Sequence, residues 1–247
     1  MSDNGRPTRA GSHRGAWLLL AAVMTAVIAA DTALLVVPAI AAQDEDHQRS
    51  WHGAITAVEI DGGSAGVTLR SGRSGQARVT EHLHWTYRKP RVEQTLEGGV
   101  LRLSVHCDDV PVPGASCDVN LDLRIPRDAA VRVDVSSGAV EARDLAGDLS
   151  VRLDTGPIDG YGLLAAHVEA RTVSGPIDLT FADAPKDVSA TAVDGPVDVS
   201  VPQGSHYAVT ATSTVGGASV DDGLDSPGAT ARITAKAVNG PVDVSWH

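Results

Sequence analysis

Four aspartates stand at the same place in a repeated pentapeptide: Thr155-Gly156-Pro157-Ile158-Asp159, Ser174-Gly175-Pro176-Ile177-Asp178, Asp194-Gly195-Pro196-Val197-Asp198 and Asn239-Gly240-Pro241-Val242-Asp243. If such units stack, their carboxylates form an outward column at the spacing of neighbouring strands, about 4.8 Å. Like charges that close repel. Three routes of relief are open: pairing with Arg171 or Lys236, splaying into water, or a divalent cation such as Ca²⁺ bridging neighbouring carboxylates. Solvated turn carboxylates are the plainer reading, because the Ca²⁺-binding GGxGxDxUx repeat is absent.

Other residues of chemical type are fewer. Cys107 and Cys117 flank a loop-like stretch containing Pro111, Pro113 and Gly114, and they read as a disulfide between two strands. A metal pair is the alternative, but the spacing is not CxxC and no second pair exists. His82 and His84 are two apart on an expected strand and share a face, and His106 could approach them from a neighbouring strand to bind zinc or copper. The plainer reading places them in solvent opposite Leu83 and Trp85. Gly62-Gly63-Ser64-Ala65-Gly66 formally matches a nucleophile elbow, yet that motif needs a helix after the serine and Val67-Thr68-Leu69-Arg70 reads as strand. A hairpin turn is expected there.

These residues must be positioned by a repeat. Between the corner glycines Gly138, Gly156, Gly175, Gly195 and Gly240 the steps are 18, 19, 20 and 45 residues, with Ser137-Gly138-Ala139-Val140-Glu141 as a weaker corner. The long last step has room for a degenerate copy at Val215-Gly216-Gly217-Ala218-Ser219-Val220-Asp221. On both sides of each corner apolar and polar residues alternate, as in Val168-Glu169-Ala170-Arg171-Thr172 and Ile177-Asp178-Leu179-Thr180-Phe181. That period of two is the half-buried strand pattern. The corner pairs Gly156-Pro157, Gly175-Pro176, Gly195-Pro196 and Gly240-Pro241 make the turns.

A unit of two short strands cannot bury its own apolar face, so copies must stack and share a core. The fold expected is all-β: a β-solenoid or β-roll of roughly 19-residue repeats over 128–247, preceded by a β-rich half over 51–127. Ile158, Ile177, Leu179, Phe181, Val197, Val199, Val201, Val242, Val244 and Trp246 should point inward, with Trp246 capping the last coil. Strands are also expected over 54–60, 66–70, 77–87, 91–96, 100–106 and 117–125.

The N-terminus sets the compartment. A basic tail, 1–15, precedes an apolar run, 16–42, long enough to be one membrane helix that leaves the C-terminal bulk outside. A long cleaved signal peptide ending near Ala39-Ile40-Ala41 is the other reading, which would leave the protein secreted. Residues 43–50 read as a linker. The chain carries a formal charge of -11, and the part beyond residue 42 carries -12, so a nucleic-acid partner, which demands a basic face, is not expected.

The order of these features carries a resemblance. An N-terminal apolar segment is followed by Gly62-Gly63-Ser64-Ala65-Gly66-Val67-Thr68-Leu69, then Gly98-Gly99-Val100-Leu101-Arg102-Leu103, then Leu123-Arg124-Ile125-Pro126-Arg127, and then the repeated corners. This resembles the DUF4097 family of bacterial β-strand repeat proteins, often named as candidate adhesins, over nearly all of 51–247. The resemblance implies a cell-surface or envelope setting and brings no catalytic residues and no cofactor with it.

The leading functional expectation is a non-enzymatic surface module that contacts wall polymer, glycan or another surface protein. An envelope-stress or signalling component acting with a membrane partner is the second. A polysaccharide-active β-helix enzyme is the third; it would need a groove with clustered Asp, Arg and Lys from neighbouring coils. Self-association through an exposed terminal strand is also open.

Overall fold

At each repeated corner the glycine takes a φ that L side chains rarely adopt, from +135° at Gly156 to +151° at Gly195. Stacking adds a second demand. A Cβ on Gly156, Gly175, Gly195 or Gly240 would sit 1.7–2.2 Å from the carbonyl oxygen of the corner glycine beneath it. The following proline has no N–H to leave unpaired, and its carbonyl accepts from the next coil: Ile158 N–H donates to Pro176 O, Ile177 to Pro196 and Val197 to Pro241, each at 3.0 Å. The Gly-Pro corner is therefore a stacking device as well as a turn.

The computed structural model describes residues 23–25, 42–108, 111–112 and 115–247. The tail 1–15 lies outside the described residues, and so does the apolar run expected to cross the membrane, apart from residues 23–25, which are helical, and Ala42. No helix among the described residues is long and apolar enough to cross a membrane.

The described residues form nineteen strands in two sheets. Ahead of the repeats come β1 (Ala42–His52), β2 (Ala57–Ser64), β3 (Gly66–Gly72), β4 (Gln76–Thr86), β5 (Arg91–Glu97), β6 (Val100–His106) and β7 (Cys117–Pro126). The repeats supply the pairs β8 (Ala130–Ser137) and β9 (Val140–Arg143), β10 (Leu149–Thr155) and β11 (Ile158–Leu163), β12 (His167–Ser174) and β13 (Ile177–Phe181), β14 (Asp187–Asp194) and β15 (Val197–Val201), β16 (Ala208–Val215) and β17 (Ala218–Val220), and β18 (Arg232–Asn239) and β19 (Val242–Trp246). Within each pair the first strand joins the nine-stranded sheet, ordered β16-β18-β14-β12-β10-β8-β2-β6-β5, and the second joins the ten-stranded sheet, ordered β1-β4-β7-β3-β9-β11-β13-β15-β19-β17. All pairings among the repeats are parallel.

The core is one layer of small apolar residues between the sheets, continuous from Ile55 to Val244. Ile158, Ile177, Leu179, Phe181, Val197, Val199, Val201, Val242 and Val244 are buried, as the alternation predicts. With so few aromatic residues, the sheets are held by Val, Leu, Ile and Ala side chains.

Four expectations need correction. Residues 43–50 are no linker: they belong to β1, paired antiparallel to β4 from Ala42↔Thr86 to His52↔Gln76. The stretch around Ser64 is no hairpin, because β2 and β3 lie in different sheets and form a coil of their own with Ala65 at the corner. The halves meeting at 127/128 share both sheets and one core, since β8 pairs with β2 and β9 with β3. Trp246 does not cap the stack. The coil β18–β19 inserts between β14–β15 and the degenerate coil β16–β17, and Trp246 is half-buried because β17 pairs with β19 only from Val242 to Val244. The reason for the insertion is burial. Ile233, Ala235, Val242 and Val244 are fully buried in the inserted coil, whereas the strands of the degenerate copy offer partly buried Val209, Ala211 and Val220, flanked by buried Tyr207 and Leu224, and take the end position, where one side is uncovered.

Candidate functional site

The aspartate column exists. Parallel register sets Asp159 opposite Asp178, Asp178 opposite Asp198 and Asp198 opposite Asp243, on the outer face of the ten-stranded sheet. Glu141 extends it on β9, opposite Asp159. Partial burial, followed by the charge of Asp178, pushes the Asp159 and Asp198 carboxyls above the ordinary aspartate value. Relief differs along the column. Arg143 and Arg70 hold Glu141, whose carboxyl is accordingly lowered, and the Ser219 hydroxyl donates to both oxygens of Asp243 at 3.2 and 3.3 Å. Arg171 and Lys236 give no relief: both lie on β12 and β18, in the other sheet.

That other sheet carries a different arrangement on its outer face. Register aligns Arg102, Glu59, Arg132, Ser150, Glu169 and Ser189 on six neighbouring strands, so charges there alternate in sign. A groove of about 600 Å³ runs across β2, β8, β10, β12 and β14, with small Ala57, Ala130, Ser150 and Ser189 leaving space between the longer side chains. Arg102 donates to Glu59 at 2.8 Å, and Arg171 and Arg152 meet Glu169 at 2.9 and 3.3 Å. His167 and Asp148 pair at one rim at 3.0 Å. A glycan-cleaving enzyme would need clustered Asp, Arg and Lys from neighbouring coils; this groove brings together Asp148, Asp187, Arg132 and Arg171 with no lysine among its lining residues, and guanidinium groups engage both of its glutamates. The groove can offer alternating donors and acceptors to a polar chain.

The remaining residues of chemical type are structural in their placement. Cys107 and Cys117 form the disulfide, with Cα atoms 6.0 Å apart, and it ties the end of β6 in one sheet to the start of β7 in the other. His82 and His84 face carboxylates: His82 meets Asp46 at 2.8 Å and Asp122 at 3.3 Å, and His84 meets Asp44 at 2.6 Å. Hydrogen bonds to Asp46 and to Asp44 are the largest reason that both imidazoles are raised above the ordinary histidine value. His106 does not join them, because β6 lies in the other sheet and His106 is opposite Arg91. The serine of the elbow-like motif is followed by strand β3. Sequence reasoning found the column because it repeats locally, and missed the groove because its residues come from strands up to 132 positions apart in the chain, from Ala57 to Ser189.

No curated protein matches the sequence. Among solved structures, the chain is similar to a candidate cell adhesion protein from Clostridium sporogenes at 12% identity and a TM-score of 0.48, covering 83% of this chain and 100% of that one. A candidate adhesin from Bacteroides fragilis gives 11% identity, a TM-score of 0.33 and coverage of 82% and 97%. A candidate lipid binding protein from Parabacteroides distasonis gives 12% identity, a TM-score of 0.30 and the same coverage of 82% and 97%. The family profile named Toastrack DUF4097 matches residues 97–245, and with more than half of its length so matched the chain belongs to that family.

Proposed function

We propose that this protein is a non-enzymatic binding module of the cell envelope, held at the membrane or released by its N-terminal segment, with its β-stack displayed outside. The observation that carries the reading is the groove on the nine-stranded sheet: about 600 Å³, open along five strands and lined by alternating charges and hydroxyls. A rigid face of this kind suits an extended polar chain such as a wall polymer or glycan, which can exchange hydrogen bonds with water for hydrogen bonds to Arg132, Ser150, Glu169 and Arg171.

One observation favours a second reading, a signalling component with a membrane partner. β1 begins at Ala42, where the apolar run ends, and pairs with β4 along its whole length, so no slack separates the N-terminal segment from the ten-stranded sheet. A ligand that shifts that sheet would be mechanically coupled to the tail.

Residues 42–247 hold both sheets, the disulfide and the whole core, and are the piece to test. Co-sedimentation with isolated envelope material, run with calcium and with chelator, is expected to show saturable binding that Glu169→Ala/Arg171→Ala weakens. Loss in chelator alone would assign the contact to the aspartate column instead. No saturable binding under either condition would overturn the module reading for that material.

A further inference from the structure

The ten-stranded sheet carries a second rung of like charge, and it is basic. Register sets Arg78 on β4 opposite Arg124 on β7, Arg124 opposite Arg70 on β3, and Arg70 opposite Arg143 on β9. All four are exposed on the outer face of that sheet. Like charges on directly opposed residues are destabilising, and this chain, at -11, has carboxylates in excess with which to neutralise them. It does so only at one end. Glu141 pairs with Arg70 at 3.7 Å and with Arg143, whereas Arg78, Arg124 and Arg73, in the β3–β4 turn, make no ion pair among the described residues. The nearby carboxylate of Asp122 is instead shared with His82.

The unpaired arginines converge. A groove of about 280 Å³ is lined by Ser71, Gly72, Arg73, Gln76, Arg78 and Arg124, with no carboxylate in its wall. A neighbouring groove of about 270 Å³ shares Arg78 and Arg124 and adds Arg70, Thr68 and Thr80, together with the carboxylate of Asp122 that faces His82. Guanidinium is a planar fork of fixed donors that matches phosphate and carboxylate oxygens. One planar carboxylate occupies one such fork. Three forks beside a hydroxyl and an amide suit a ligand with more charge and with oxygens pointing in several directions, which is a tetrahedral oxyanion.

We infer that Arg73, Arg78 and Arg124, extended by Arg70, form a binding site for a phosphoryl group. The site is distinct from the groove of the nine-stranded sheet and does not depend on the module reading. A long nucleic acid is a poor ligand, because the acidic column lies further along the same face and repels a polyanion that overruns the rung. The phosphoryl group can come from a soluble or wall-bound phosphate chain or from a lipid headgroup.

The test uses residues 42–247, with folding of every variant checked by circular dichroism, and inorganic tripolyphosphate as the probe in calorimetry at low salt. Wild type is expected to bind, Arg78→Gln/Arg124→Gln to bind about tenfold more weakly or not at all, and the control Arg91→Gln/Arg232→Gln, with the same charge change on the other sheet, to bind as wild type does. A second arm measures flotation with phosphatidylglycerol vesicles against phosphatidylcholine vesicles. Binding to the anionic vesicles that the first variant abolishes assigns the headgroup as the source; tripolyphosphate binding without vesicle binding assigns a non-lipid phosphate. Equal loss in both variants, or no binding of wild type to either probe, would overturn the site.

Discussion

The N-terminal half and the repeat half occupy the same two sheets but are joined by different means. In the repeats four coils carry the same Gly-Pro corner and stack through it, with parallel pairing throughout. Ahead of them only β2 with β6 and β3 with β7 pair in parallel, while β1, β4 and β5 close the stack with antiparallel pairing, a disulfide and histidine–carboxylate contacts. A repeated corner spreads its stabilisation over the stack and tolerates no side chain. A non-repeated end uses individually replaceable contacts.

The largest test of that difference exchanges one glycine in each half. Gly175 has a φ of +149° and a Cβ there would lie 2.1 Å from the Gly156 carbonyl oxygen, whereas a Cβ on Gly63 would meet nothing within 4 Å. Gly175→Ala is expected to cost about 3 kcal/mol or more, strain and clash together, while Gly63→Ala stays within about 0.5 kcal/mol. Urea midpoints read both, and equal effects would show that corner stacking does not dominate the repeat half.

Next comes the disulfide. Cys107 and Cys117 are 10 residues apart in sequence, and in the chain-entropy picture opening so short a loop costs about 2 to 3 kcal/mol. Cys107→Ser/Cys117→Ser should lower the thermal midpoint, with hydrogen exchange rising first in β6 and β7 and last in β12 to β15. Uniform loss of protection would mean that the two halves unfold as one.

The histidines make the β1 edge sensitive to pH. Both are raised, so their contribution is fully present below about 6.5, the ordinary histidine value, and is lost as pH rises through the higher folded values. The groups facing them are Asp44 and Asp46 from β1 and Asp118 and Asp122 from β7. Amides of β1, corrected for intrinsic rates, should exchange faster at pH 8.5 than at pH 5.5, with those of β13 unchanged. Because the pairs are exposed, added salt should shrink the difference.

How much of this was legible before the fold was known follows from the range of each signal. The corners and the inward positions of 158–201 could be read locally, because Gly-Pro and a period of two recur within each unit. β1 could not. Its sequence, AQDEDHQRSWH, alternates no apolar face, and it becomes a strand through pairing with β4. The insertion of β18–β19 before β16–β17 is a competition for burial between distant copies, and no local pattern records it. The aspartate column needed only the repeat to be seen; the arginine rung needed the register of four strands that share no motif.

The two like-charged rungs give the smallest and most discriminating comparison. Asp178 lies between Asp159 and Asp198, and Arg124 between Arg78 and Arg70. The raised carboxyls of Asp159 and Asp198 mean that stability contributed by their protonated forms falls as pH rises from the ordinary aspartate value through the folded ones. Asp178→Asn removes the second cause of those shifts, so it should stabilise the fold at neutral pH by about 0.2 to 1 kcal/mol and flatten that acid-range slope. Arg124→Gln should likewise stabilise the protein in phosphate-free buffer, by relieving Arg78 and Arg70. The rungs part company when tripolyphosphate is added: wild type should gain stability and Arg124→Gln should gain less, so the order of the two reverses, while Asp178→Asn keeps its advantage. Thermal midpoints with and without the anion measure this directly. If Arg124→Gln is already less stable than wild type without any anion, the arginine rung is a structural contact and not a ligand site, and the likeness between the two rungs is one of charge pattern alone.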